Sequence, residues 1–181
     1  MLIAREKKEN NIAEYILYMW SLENILRAYS LDINKVKENI IDNYNISGEL
    51  KNEMYEWYDN LIQMMKLENL EEKGHLNINK IVLDDFNKFH MHLLNDVKDP
   101  QYIFLFNSSV NNIVEFREKN KDITSSDIEI CLNALFGIWM LKLQKKEISK
   151  QTLSAINSIS KLLAMLSLKY KENEDKLKKE Q

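Results

Sequence analysis

Turn-making residues are almost missing from this chain, which holds one proline, Pro100, and three glycines among its 181 residues. Folds built on tight hairpins need glycine at positive φ and proline at sheet edges, so an all-β architecture is excluded, whereas helices lose nothing by the shortage. No Ser/Pro/Gly-rich stretch is present to act as a hinge. The expected organisation is one helical domain over residues 1–172 and a charged tail at 173–181 that frays. A chain of this length can bury roughly 70% of its unfolded surface.

Cysteine is reduced to Cys131, which has no partner for an intrachain disulfide and suits a reducing, cytoplasmic compartment. Long apolar runs are missing too. The longest, Ala134 to Leu141, falls far short of the roughly 18 residues a membrane-spanning helix needs, and no secretory signal is visible at Met1 to Asn11. Neither sign of charge dominates: 25 basic and 28 acidic residues give a net charge of −3. The two signs are interspersed, so neither nucleic acid nor a membrane is an expected partner. Glycine-rich phosphate loops, nucleophile elbows, paired-cysteine zinc motifs and dinucleotide fingerprints are absent from the sequence, and no cofactor or metal is expected.

What the chain does contain is apolar residues recurring once per helical turn in seven stretches, which predicts an all-α irregular bundle. The first, about Arg5 to Tyr29, carries Ile12, Tyr15, Met19, Leu22 and Leu26 on one face. The second runs about Asp32 to Tyr44 behind an Asp32 cap. The third follows Ser47, aligns Leu50, Met54, Trp57, Tyr58, Leu61, Met64 and Met65, and stops near Gly74. The fourth spans about Asn79 to Asn95, and the fifth opens at Asp99-Pro100. Ser126 to Glu129 reads as a capping box that opens the sixth, whose inner face is Ile128, Cys131, Leu132, Leu135, Phe136, Trp139 and Leu143, with Gly137 permitting a close crossing. The seventh begins at Ser149. Apolar residues encircle the first and sixth stretches, which predicts that these two are central.

Four short segments also carry a family resemblance: Asn11-Ile12-Ala13-Glu14-Tyr15, Tyr18-Met19-Trp20, Glu72-Lys73-Gly74-His75-Leu76 and Asn133-Ala134-Leu135-Phe136-Gly137. With them the chain resembles, over nearly its whole length, domain of unknown function 4924, a family of Bacteroidota. The resemblance implies a small helical bacterial protein and no activity, cofactor or partner.

Glu23 and Arg27, one turn apart on an otherwise apolar arc, are expected to be buried as an ion pair or to line a polar pocket between helices, together with Glu14 and His75. Glu72 and His75 have the Glu-x-x-His spacing of di-iron bundles, but no second copy exists to complete a site. His90 and His92 point about 160° apart on a helix and cannot share an ion. Cys131 is expected in the core, while Tyr15, Tyr18 and Tyr58 carry hydroxyls that need partners wherever they are buried. Trp57, Met64 and Met65 are candidates for an apolar surface that docks a protein or peptide, or a second copy in a homodimer. The leading expectation is therefore a non-enzymatic interaction or scaffold protein, and the alternative is an enzyme or small-ligand binder with a polar interhelical pocket.

Overall fold

Side chains that cap helices explain most of the secondary structure in the computed structural model, which describes residues 1–179. Eight α-helices are present and no strand occurs among the described residues. Asn11 interrupts the first predicted helix: its Oδ1 accepts from the Glu14 N–H at 3.2 Å, which ends α1 (Leu2–Asn10) and opens α2 (Ile12–Ala28). Asp32 caps α3 (Ile33–Asn39) as expected, and the chain then tightens into one 3-10 turn, Ile41–Asn43, in place of further α-helix. Next come α4 (Glu49–Leu67) and α5 (Asn77–His92), which loosens into a π turn at Leu93–Val97. Asp99 accepts from the Tyr102 N–H ahead of α6 (Pro100–Asn120). Ser126 accepts from the Glu129 N–H to open α7 (Asp127–Leu143), and Ser149 accepts from the Thr152 N–H at the start of α8 (Lys150–Lys179). The tail expected to fray is thus helical through Lys179, and its last two positions lie outside the described residues.

A chain so poor in glycine still has to stop its helices. After α2, α4, α6 and α7 it does so with Ser30, Asn69, Lys121 and Lys145, each at a φ between 51° and 57°. Each stop is closed by the same pair of backbone bonds, for example Leu70 N–H to Met65 O at 2.9 Å and Asn69 N–H to Lys66 O at 3.1 Å. Asn69, not Gly74, therefore ends α4, five residues before the glycine. Gly74 takes φ +94° within the loop that follows.

Backbone contacts divide the chain into two compact units: Met1–Glu6 with Tyr18–Val82, and Lys7–Leu17 with Leu83 onward. In the first, α3 and the 3-10 turn pack on α4, and Trp20, Leu26, Val36, Ile41, Ile62, Met65 and Leu76 are fully buried. In the second, α6, α7 and α8 pack on one another around Phe86, Tyr102, Ile113, Ile128, Leu132, Ile159 and Leu166. Here the buried His90 Nδ1 lies 2.6 Å from the Tyr102 hydroxyl, and burial lowers the imidazole pKa to about 4. Arg117 of α6 donates to Ser125 O and to Asp127, fixing the loop that leads into α7.

The two helices expected at the centre are buried around much of their circumference, α2 from Ile12 to Leu26 and α7 from Ile128 to Ile138. The last turn of α7 departs from expectation, since Trp139 is 41% and Leu143 61% exposed. Gly137 also faces open space, so no close crossing uses it.

Candidate functional site

Helix α2 presents two opposed sets of side chains within the first unit. On a period of 3.6 residues, Trp20, Glu23 and Arg27 project roughly 180° from Tyr18, Ser21, Leu22, Ile25 and Tyr29.

The first set forms a polar fastening. Glu23 is only 1% exposed, and its carboxylate accepts from the Leu76 N–H at 3.0 Å and the Asn79 amide at 2.7 Å through one oxygen. The other oxygen lies 2.5 Å from His75 Nδ1. The imidazole in turn stacks on Trp20, with ring centroids 4.4 Å apart. Arg27 does not pair with Glu23: its Nε donates to Leu70 O at 2.9 Å, its Nη1 to Asn24 at 2.8 Å and its Nη2 to Gly74 O. Glu68 accepts from the Asn77 N–H at the start of α5. Together these bonds pin the loop between α4 and α5 to α2. A buried carboxylate is stabilised when donors saturate it, and here every donor comes from the protein itself.

Three of the four residues expected to line a polar pocket are therefore brought together, as a structural clasp. Glu14 is exposed and pairs instead with Lys7 at 2.8 Å. Of the expected apolar docking residues, Met65 is wholly buried, while Trp57 and Met64 are half-buried. Cys131 is buried, and desolvation pushes its thiol pKa up, so it is held as an inert thiol. His90 is buried and His92 exposed, the latter bound to Asp96 at 2.8 Å, so the two imidazoles do diverge.

The opposite face of α2 walls a cleft of about 310 Å³ that no reading of the sequence had singled out as a site. Tyr18, Ser21, Leu22, Ile25 and Tyr29 line it from α2, Ile40 and Tyr44 from either side of the 3-10 turn, and Tyr58 from α4. Leu22 and Tyr58 are buried at its floor, whereas Ile25 and Tyr44 are exposed at the rim. Among the described residues no protein group hydrogen-bonds to the hydroxyls of Tyr18, Tyr29, Tyr44 or Tyr58, and none of the four is sealed from solvent. Burial raises the phenolic pKa of Tyr18 and Tyr58, with a further rise from the neighbouring phenols. The signal for this face was present in sequence as Tyr18, Leu22, Ile25 and Tyr29 at helical spacing; what could not be read was that a hollow lies beside it.

Matched against known families, residues 1–176 fit the model described as Domain of unknown function (DUF4924). The chain belongs to that family. Neither a curated protein nor a solved structure matches it. The description of DUF4924 names no activity. Among the described residues no helix is long and apolar enough to cross a membrane.

Proposed function

We propose that this protein binds a small molecule in the tyrosine-lined cleft beside α2. The observation that carries the reading is a concavity of about 310 Å³ lined by four tyrosines, none of whose hydroxyls has a protein partner. Ligand sites combine apolar walls with a few unsatisfied polar groups, and volumes of roughly 300 Å³ and above are typical. Clefts of this composition orient a guest by hydrogen bonds while hydrophobic contact supplies most of the affinity. The free thiol of Cys131 fits a reducing cytoplasm as the compartment.

Ser21→Trp places an indole in the cleft and should expel its guest. Native mass spectrometry of the protein isolated from its own cells should show an added small mass on the parent and none on Ser21→Trp. Identical spectra for the two would refute the reading.

A second reading, association with a protein partner or another copy, is favoured by a different observation: the exposed Trp139 and Leu143 on one face of α7, with Phe136 ring-packed on Trp139 at 5.7 Å. Sedimentation that is the same for the parent and Trp139→Ser across a hundredfold concentration range, roughly, would remove self-association from it.

A further inference from the structure

We infer that the cleft's ligand is an uncharged compound of one or two rings that presents oxygen acceptors, an inference that rests on the cleft being a binding site. None of its eight lining residues carries a charge. An anion or a cation entering it would lose hydration with no counter-ion to replace it, which disfavours both. Tyrosine rings do attract cations through their faces. A cation, however, offers no acceptor to the O–H protons of the phenols, which would lose contact with water on its entry and gain nothing in return. Burial holds the Tyr18 and Tyr58 hydroxyls in the protonated, donating form. Leu22, Ile25 and Ile40 share the lining with flat phenol rings, which suits planar apolar rings more than flexible polar chains. The volume, near the lower end for ligand cavities, limits the guest to a compact ring system.

Four naphthalene probes of nearly equal shape separate the possibilities by equilibrium dialysis: acetylnaphthalene, methylnaphthalene, naphthoate and naphthylmethyl-trimethylammonium. Acetylnaphthalene, the neutral acceptor, should be retained about tenfold more strongly than each of the others, the effect of one well-formed hydrogen bond. Tyr58→Phe or Tyr18→Phe should reduce that preference while leaving the retention of methylnaphthalene and the thermal midpoint nearly unchanged. Two variants are used so that a folding defect in one does not remove the test. Equal retention of methylnaphthalene, or strongest retention of the carboxylate or the ammonium, overturns the inferred ligand class and leaves the cleft standing. Retention of none of the four, or retention that Ser21→Trp does not diminish, overturns the cleft as a site.

Discussion

Replacing Glu23 with alanine would strand two donors, on Leu76 and Asn79, in a place water does not reach, and would release the half-buried His75. Urea unfolding should show Glu23→Ala losing about 3 to 5 kcal/mol, against well under about 1 kcal/mol for Glu14→Ala, whose pairing with Lys7 is solvated. Similar midpoints for the two variants would mean that the clasp does not hold the loop. His90 governs a second residue-scale effect. Its folded pKa of about 4 lies below the ordinary 6.5, so between those values the unfolded chain binds a proton that the folded one refuses. Stability is therefore complete above pH 6.5 and falls as pH drops toward 4, by about 3 kcal/mol from this group alone. His90→Gln, which keeps a partner for Tyr102 without titrating, should flatten that slope in urea titrations at successive pH values. These pairings were half legible. Glu23, Arg27 and His75 stood out because charge on an apolar arc is conspicuous, but helical spacing brings Glu23 to Arg27, while the fold brings it to a histidine 52 positions away.

Elements were read most accurately where their boundaries depend on local chemistry. Asp32, Asp99-Pro100, Ser126 and Ser149 each open the helix expected of them, because a cap needs only its own next few N–H groups. Asn11 was missed because the apolar repeat continues across it, and the end of α4 because a nearby glycine looked like the stronger stop. The outer face of the last turn of α7 was missed for another reason: periodicity shows that a stripe is apolar, not how much of it a neighbour covers. Two substitutions exploit these features. Gly137 sits in open space within α7, so Gly137→Ala should stabilise by about 1 kcal/mol through helix propensity. Lys145 bears a side chain where φ is 55°, so Lys145→Gly should gain about 1 kcal/mol by relieving that backbone, while Lys145→Ala should gain almost nothing. Thermal melts read both, as rises of about 2 to 4 °C; a fall for Gly137→Ala would show that this surface is covered in solution.

Across the whole molecule, buried side chains are unevenly spread, and local stability should follow them. The first turns of α7 and the Ile156–Leu166 stretch of α8 are densely buried, whereas between residues 39 and 48 only Ile41 is. Hydrogen exchange should accordingly be slowest in the former and fast from Asn39 to Gly48. The fast segment carries Ile40 and Tyr44, one wall of the cleft, so a bound guest should slow exchange there selectively. Uniform slowing over all helices would argue against occupancy of that wall. All-helical architecture was legible from periodicity and from the scarcity of glycine and proline; the hollow was not, because concavity belongs to how helices meet.

One helix carries both the cleft wall and the clasp, on opposite sides of a single rigid rod. It cannot roll about its axis to admit a bulkier guest without dragging Trp20, Glu23 and Arg27 against the carbonyls and amides they grip. The α2 side of the hollow is thus held in place by hydrogen bonds that never touch it, and any widening has to come from the Ile40–Tyr44 side.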